Sequence, residues 1–338
     1  MLHRMAIASP KITEIVPGLL WVRLPLPLAL NHVNAWLLSD GDGWTVVDTG
    51  FGNDASKAAW EEVERAAMDG RPVRRVICTH AHPDHIGLAG WFEERWGAPL
   101  WASQAEWLQA RMVTLDRPES AAESWRRFHL RAGASAEALE TIVRMSGGYR
   151  RSVAPIPVTY RRIRDGAELP IDGDRWSVVV GRGHSLEHVC LYSPGRRLLV
   201  SGDQVLPGIS PNVSVWPNEP EAEPLGDFLA TLKRLEQLPF DVRVLPSHGM
   251  PFSGLHRRIQ ELERHHQERL SHVLATCARP RTGYEVMRAM FERELDPHQT
   301  TFAVGESLAH LNHLVAAGLV RREQRDGEPD RYVRIVTA

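Results

Sequence analysis

Six consecutive residues, His80-Ala81-His82-Pro83-Asp84-His85, constrain this chain more than any other part of its sequence. Three imidazoles and one carboxylate follow directly after the apolar run Val73–Thr79. These groups are ligands of zinc and other borderline first-row metals, and a surface turn has no structural need for three histidines. The stretch therefore predicts a metal site at the end of a strand.

Three further candidate ligands, His184, Asp203 and His248, each come shortly after a β-type run. In α/β proteins the loops after strand ends form the binding site, because these ends meet at one edge of a sheet. We therefore expect the three residues to join the His80–His85 stretch in a single site. Such a set exceeds the three or four protein ligands of one tetrahedral zinc, so two metals would share it.

The sequence alternates between β-rich and helical segments. Short apolar runs separated by Gly and Pro predict strands, and longer runs with helical periodicity predict helices. The predicted strands are Ile12–Val16, Leu19–Leu24, Val33–Leu38, Trp44–Asp48, Val73–Thr79, a run at about Val158, Ala167–Pro170, Trp176–Val180, Val189–Ser193, Arg197–Ser201 and Val242–Leu245. The predicted helices are Asp54–Met68 with Asp54 as its cap, Gly87–Trp96, Glu221–Leu238 and His256–Thr276.

A helical segment, about 103–150, interrupts the β-rich scaffold. It is rich in Arg, Trp and Glu, contains no strand-like run and predicts two or three helices. A segment of this size beside a site is a candidate lid or substrate wall. The alternative is a packing excursion that has no contact with the substrate.

A domain boundary is predicted near residue 278, with a catalytic domain over 1–278 and a small domain over 279–338. Helices at Thr282–Phe291, Thr300–Phe302 and Val304–Ala317, followed by strands at Leu319–Arg322 and Arg331–Val336, form a winged-helix pattern. The helix Val304–Ala317 contains no Lys or Arg, whereas nucleic-acid affinity depends on cationic contacts to phosphate. We therefore expect a structural, dimerising or lid-supporting tail rather than a DNA-binding one.

The composition is that of a soluble globular protein, with 43% apolar and 24% charged residues among 338. The formal net charge of −2 does not favour a polyanionic partner. The three cysteines are far apart in the chain, which predicts reduced thiols in a reducing compartment. Neither a secretory segment nor a membrane span is evident, so we expect a cytoplasmic protein without a membrane partner. A homodimer is compatible with the sequence.

The ordered ligand set resembles the metallo-β-lactamase superfamily over residues 12–255, and Asp48-Thr49-Gly50 and Gly202-Asp203 match the same family. The helical insertion and the tail are similar to a glyoxalase II-like branch that includes β-lactamase-like protein 2 and thioesterases of secondary-metabolite biosynthesis. The resemblance implies an α/β fold, a four-layer αβ/βα sandwich, with a helical insertion, a small C-terminal winged-helix domain and two metals at one edge. The motifs that carry it are His80-x-His82-x-Asp84-His85, His184, Asp203 and His248.

The same resemblance implies two metal sites with one bridging carboxylate and two neighbours that donate or accept hydrogen bonds without binding metal. It gives His80, His82 and His184 as ligands of the first metal and Asp84, His85 and His248 as ligands of the second. Asp203 would be the bridge, and Asp48 and His188 would be the two neighbours. The cofactors would be two divalent ions. Zinc is favoured by the ligand types, and iron or manganese is compatible with them.

In the mechanism that the family implies, two cations lower the pKa of a bridging water, and the resulting hydroxide attacks the substrate. Asp84 would orient the hydroxide and carry a proton to the leaving group as the catalytic residue. The chain departs from the family's usual Gly-His-Thr-x-Gly-His, because it has Gly183-His184-Ser185-Leu186-Glu187-His188. Glu187 in place of glycine predicts a different turn.

We expect a dinuclear hydrolase of a thioester or related ester, whose substrate is a small-molecule or carrier-bound acyl group. A single-strand endoribonuclease is the alternative enzyme. A nucleic-acid-binding regulator with a decayed hydrolase domain is the alternative of a different class. His32 and Trp216 are weak candidates for substrate contact, and a hydrogen-bonded hairpin residue and an edge-of-core residue are equally good interpretations of them.

We predict no metal site in two other segments that contain histidines. Glu306, His310 and His313 have helical i, i+4, i+7 spacing, and side chains on one helix face are usually solvated. His265 and His266 are adjacent on a predicted helix, so their side chains point in different directions.

Overall fold

Two β-sheets and the helices on their outer faces build the fold. The computed structural model describes residues 10–28, 30–145 and 147–336. The first sheet has the strand order β1 to β7, antiparallel as far as β4 and parallel from β4 to β7. Its strands are β1 Lys11–Val16, β2 Leu19–Pro25, β3 His32–Asp40, β4 Gly43–Val47, β5 Val73–Ile77, β6 Leu100–Ala102 and β7 Arg161–Arg162.

The second sheet has the order β13-β12-β11-β10-β9-β8, and only its β11–β12 pair is parallel. Its strands are β8 Glu168–Ile171, β9 Asp174–Gly181, β10 His188–Ser193, β11 Leu198–Gly202, β12 Arg243–Pro246 and β13 Phe252–Ser253. An antiparallel ribbon of β14 Val320–Glu323 and β15 Arg331–Arg334 stands apart from both sheets.

The helices lie mainly outside the sheets, in the insertion and in the tail. They are α1 Asp54–Ala67, α2 Pro83–Ile86, α3 Ala89–Trp96, α4 Gln104–Leu115, α5 Pro118–Ala132, α6 Ala136–Met145, α7 Gly148–Arg151, α8 Pro224–Leu235, α9 Leu255–Thr276, α10 Gly283–Met290 and α11 Pro297–Ala316. None of these helices is long and apolar enough to cross a membrane, within the residues that the structure describes.

The apolar residues form three clusters that define four layers. Strand β3 is buried on both faces, so its sequence is almost continuously apolar rather than alternating. Trp36 points into the cluster between the two sheets, whereas Leu37 points into the cluster between the first sheet and helices α1 and α3. The third cluster lies on the outer face of the second sheet and includes Phe228 of α8 and Ile259 of α9. The predicted αβ/βα sandwich is thereby confirmed.

The tail and part of the insertion share this third cluster. Phe128 of α5 and Val304 of α11 belong to it, together with residues of α8 and α9. His129 and Tyr284 are also in hydrogen-bond contact, with 3.0 Å between Nδ1 and Oη. The winged-helix assignment and the boundary near residue 278 stay predictions, and the tail packs on the same core as the second sheet.

Several local predictions were wrong. The side chain of Asn53, not Asp54, caps α1 by accepting a hydrogen bond from Ser56 N. Val158 lies outside any strand and is 71% exposed, and the last strand of the first sheet is β7, three residues further on. The insertion contains the four helices α4 to α7 rather than two or three.

Candidate metal centre

The loop after β5 is held by Asp48 and Thr49, the two residues that directly follow β4. Asp48 Oδ1 accepts a hydrogen bond from Thr79 N at 2.7 Å, and its Oδ2 accepts one from Thr79 Oγ1 at 2.8 Å. Asp48 has a φ of 62°, in the left-handed region that Asp tolerates better than most residues. Thr49 N and Oγ1 both donate to the carbonyl of His85, each at 2.7 Å. The end of β4 thus fixes both ends of the histidine loop.

Backbone carbonyl, carboxylate and hydroxyl groups outside the cluster fix the orientation of four of its histidines. A carbonyl oxygen can only accept, so His184 Nδ1 donates to Asn212 O at 2.7 Å and His248 Nδ1 donates to His32 O at 2.9 Å. His85 Nδ1 lies 2.8 Å from Asp48 Oδ2. His80 Nδ1 lies 3.0 Å from Thr79 Oγ1. In each ring the Nε2 atom is left to face the other candidate ligands, the orientation that a ligating imidazole requires.

The inward-facing atoms form two adjacent groups. His80, His82, His184 and Asp203 form one group, and Asp84, His85 and His248 form the other; within each, the candidate ligand atoms lie within 4.8 Å of one another. His80 Nε2 lies 2.9 Å from His82 Nδ1 and 3.2 Å from His184 Nε2.

Asp203 connects the two groups. Its Oδ2 lies 3.5 Å from Nε2 of His184, 3.6 Å from Nε2 of His85 and 3.5 Å from Nε2 of His248. Its backbone N donates to His188 Nε2 at 3.1 Å. The preceding Gly202 has a φ of +52°, and a Cβ there would lie 2.3 Å from His188 Cε1. Glycine is therefore required for Asp203 to turn into the cluster.

The electrostatics of the cluster are those of a site prepared for positive charge. Burial raises the pKa of Asp203, but His248 and His85 outweigh it and hold that pKa well below its usual range. Burial lowers the pKa of His248, but Asp203 and Asp84 raise it to about 10. Burial is the main cause that lowers the pKa of His82 to about 3. The buried carboxylates thus require cations beside them, and without a metal these are protons on histidine.

Two buried atoms support the fit to metal. His85 Nε2 and Asp203 Oδ1 have no hydrogen-bond partner in the described part of the chain. An unpartnered buried ring nitrogen or carboxylate oxygen is costly unless a cation satisfies it. The donor set of imidazoles and carboxylates is one that zinc, iron or manganese can use.

All seven predicted ligands therefore lie together, and the two predicted neighbours contact them. Asp48 contacts His85, and His188 accepts from the backbone of Asp203. His32 supports the loop of His248, because its carbonyl accepts from that ring and its Nε2 accepts from Gly249 N at 3.2 Å. These contacts explain the position of His32 without a substrate.

Trp216 lies in an aromatic group away from the ligand contacts. Its ring centroid is 6.3 Å from that of Trp125 and 5.7 Å from that of Phe302. It thus packs between α5 and α11, and its contact with substrate stays a prediction. Glu106, Tyr149 and Asn212 also contact the metal loops, and no local sequence pattern distinguished them.

Comparison with known proteins agrees with this geometry. The sequence pattern described as the Metallo-beta-lactamase superfamily matches residues 28–248. The chain belongs to the metallo-β-lactamase superfamily. A second pattern, described as the C-terminal domain of metallo-beta-lactamase-like proteins, matches residues 270–335.

Individual relatives and a solved structure are similar to most of this chain. A solved structure of a beta-lactamase domain protein from Burkholderia ambifaria is 43% identical, with a TM-score of 0.90, covering 96% of this chain and 94% of that one. A probable metallo-hydrolase of Bacillus subtilis is 25% identical over 87% of this chain and 91% of its own length. An acyl-coenzyme A thioesterase of Bos taurus is 25% identical over 70% of this chain and 80% of its own length. The protein is a metal-dependent hydrolase.

Proposed function

We propose that this protein is a dinuclear metal-dependent hydrolase that acts on thioesters or related esters. The observation that carries the proposal is the position of Asp203, whose Oδ2 lies within 3.6 Å of a ring nitrogen from each of His85, His184 and His248. One carboxylate oxygen in contact with both ligand groups is the arrangement that a bridging ligand needs. A single tetrahedral zinc would leave about half of the donors unused.

The ligands divide between the two ions as the two groups divide in space. His80, His82 and His184 would hold one ion, Asp84, His85 and His248 the other, and Asp203 both. Two divalent ions supply the acidification of a water molecule and the polarisation of a carbonyl group. Zinc is the metal we propose, because histidine dominates the ligand set.

Asp84 is the residue we propose for proton transfer. Its Oδ2 lies 3.4 Å from His248 Nε2 and 3.6 Å from His85 Nε2, and its side chain is 16% exposed. Burial raises the pKa of Asp84, but His85 and His248 outweigh it and lower it to about 2. An ionised carboxylate at the mouth of the cluster can orient a water and accept its proton. The water oxygen bonds to the carbonyl carbon, the carbon–sulfur bond breaks, and Asp84 returns the proton to the departing thiolate.

The thioester preference rests on similarity. The acyl-coenzyme A thioesterase of Bos taurus shares the superfamily and 25% identity with this chain. A small-molecule or carrier-bound acyl thioester is therefore the substrate class we propose. A regulator with a decayed site would have no need of seven converging donors, which argues against that alternative.

The test is a hydrolysis screen with zinc-loaded protein on acyl-coenzyme A, acyl-glutathione, lactone, β-lactam and single-stranded RNA substrates. Release of free thiol from the thioesters should exceed turnover of every other class. An Asp203→Asn variant, purified and assayed in the same way, is the control for contaminating hydrolases. Faster cleavage of RNA, or equal thiol release by the Asp203→Asn variant, would refute the thioester assignment.

A further inference from the structure

One buried carboxylate of the insertion contacts both metal-site loops. Glu106 of α4 is 1% exposed. Its Oε2 accepts a hydrogen bond from Ala81 N at 2.7 Å, and its Oε1 accepts one from Glu187 N at 2.7 Å. Ala81 lies between His80 and His82. Glu187 lies in the loop that begins with His184, so a single side chain connects loops that follow different sheets.

The contact between α4 and the second loop is reciprocal. While Glu106 accepts from Glu187 N, the carboxylate of Glu187 accepts from Ala105 N at 3.1 Å. This explains why the chain has glutamate where the family usually has glycine. The two hydrogen bonds are donated in opposite directions, and together they hold the start of α4 against the loop that contains His184 and Glu187.

The insertion also contacts the His80–His85 loop through both backbone groups of Ala81. Glu106 accepts from the N–H of Ala81, and Tyr149 Oη donates to the carbonyl of Ala81 at 2.6 Å. Tyr149 lies in α7, so both partners belong to the insertion. The peptide groups on either side of Ala81 lead directly to His80 and His82, and their rotation would turn those rings. A buried carboxylate is costly unless its oxygens are satisfied, and here backbone donors of two loops satisfy them.

We propose that Glu106 is a positioning residue that aligns the His80–His85 loop with the His184–His188 loop for metal binding, with Tyr149 in a supporting role. The insertion is then part of the metal site's scaffold through α4 and α7. The inference rests on the metal site proposed above and not on its substrate. Metal affinity is measured without substrate, so failure of the thioester screen would leave this test intact.

The test is a cobalt(II) titration of metal-free protein, followed by visible absorption and performed well below the unfolding temperature. Glu106→Gln keeps the size of the side chain but offers one acceptor oxygen and turns an amide N–H₂ toward the other backbone donor. We expect the cobalt dissociation constant to rise about 10- to 100-fold, as for other residues that orient metal ligands. The absorption bands of the bound cobalt should also shift. Tyr149→Phe removes one neutral hydrogen bond and should raise the constant about 3- to 10-fold.

Glu140→Gln is the matched control, because it makes the same change at an exposed glutamate of α6 in the same insertion. It should bind cobalt within about twofold of the wild type, since the Glu140 side chain points into solvent. A Glu106→Gln protein with a lower unfolding temperature but unchanged affinity and spectrum would overturn the proposal, since that is the signature of a merely structural role. Equal weakening in Glu140→Gln would also overturn it. If Glu106→Gln fails to fold, Tyr149→Phe decides, and unchanged cobalt affinity in that variant counts against the proposal.

Discussion

Two buried histidine clusters lie within the residues that the structure describes, and they differ in their carboxylates. In the metal centre, oxygens of Asp84 and Asp203 lie among the ring nitrogens. In the second cluster, between α9 and α11, His266 Nδ1 lies 3.3 Å from His310 Nε2, and His310 Nδ1 donates to Glu306 O at 2.8 Å. There the rings bond to one another and to the backbone.

The charges follow from this difference. Asp203 and Asp84 raise the pKa of His248 to about 10 against the effect of burial. Burial lowers the pKa of His266 to about 3 and that of His310 to about 4. The rings of His266 and His310 are therefore neutral at physiological pH, whereas the two carboxylates hold the His248 ring in its cationic form. The contrast teaches that converging carboxylates, rather than the number of histidines, prepare a site for cations.

Loss of the shared carboxylate should have the largest effect on this contrast. Asp203→Asn keeps the shape of the side chain and removes the charge that both groups contact, so we expect fewer than one metal per chain by elemental analysis. We also expect kcat/KM to fall by about 10³-fold or more. The exposed Asp54→Asn serves as the control and should retain two metals. An Asp203→Asn protein with two metals and normal turnover would mean that the carboxylate does not distinguish the clusters.

A smaller loss of activity is expected on replacement of Asp84, the carboxylate at the mouth of the metal centre. Asp84→Asn should lower kcat by about 10²- to 10³-fold, because the proton acceptor is lost. Metal content should fall toward one per chain, as one group loses a ligand. Addition of excess zinc should restore the second metal and not the rate. Full recovery of the rate with zinc would assign Asp84 to metal binding alone.

Glu306 lies on α11, the helix that carries His310, and provides a test of how burial acts on a single carboxyl group. Burial raises the pKa of Glu306 to about 7, with Arg269 opposing the shift. Below the ordinary value near 4.5 both folded and unfolded chains hold the proton, and as pH rises toward 7 only the unfolded chain releases it freely. The carboxyl group therefore costs stability with rising pH, and Glu306→Gln should increase the free energy of unfolding at pH 8 by on the order of 1–3 kcal/mol.

Urea unfolding at pH 4.5 and pH 8 measures this effect. The gain from Glu306→Gln should nearly vanish at the lower pH. Gln267→Ala, at an exposed position of α9, removes no titratable group and should give a difference that does not change with pH. A Glu306→Gln gain of equal size at both pH values would contradict the buried-carboxyl explanation.

The smallest effect is expected for the histidine pair itself. His266→Phe leaves His310 Nε2 without its partner and should lower the free energy of unfolding by about 1–2 kcal/mol. Metal content and turnover should match those of the wild type, because this cluster contributes no ligand. A lower metal count in His266→Phe would break the distinction between the two clusters.

Much of the metal centre could be predicted because its signal is local or follows strand ends. His80 to His85 are adjacent in sequence, and His184, Asp203 and His248 follow predicted strands. Glu106 could not be predicted, since it is one of several glutamates in a helical segment and its partners are 25 and 81 residues away. His310 was expected to be solvated, and it is fully buried because α11 packs against α9.

The prediction of two separate helices, Thr300–Phe302 and Val304–Ala317, was also wrong. Residues 297–316 form the single helix α11, although Thr300, Thr301 and Gly305 have weak helix propensity. Gly305 is explained by a tertiary contact, because a Cβ there would lie 2.8 Å from Ser214 Cβ. Val215 N also donates to Gly305 O at 3.0 Å. A glycine that looks like a helix breaker in sequence is here the point where a loop crosses the helix.

The proposed metal donors come from loops of both sheets, and this has a mechanical consequence. Asp84 and His85 follow β5 of the first sheet, whereas Asp203 and His248 follow β11 and β12 of the second. An ion held by both sets is a reversible cross-link between the two halves of the sandwich. By mass action, each tenfold rise in free metal concentration above the dissociation constant raises the free energy of unfolding by about 1.4 kcal/mol. The heat resistance of the protein would therefore report the metal supply of its surroundings.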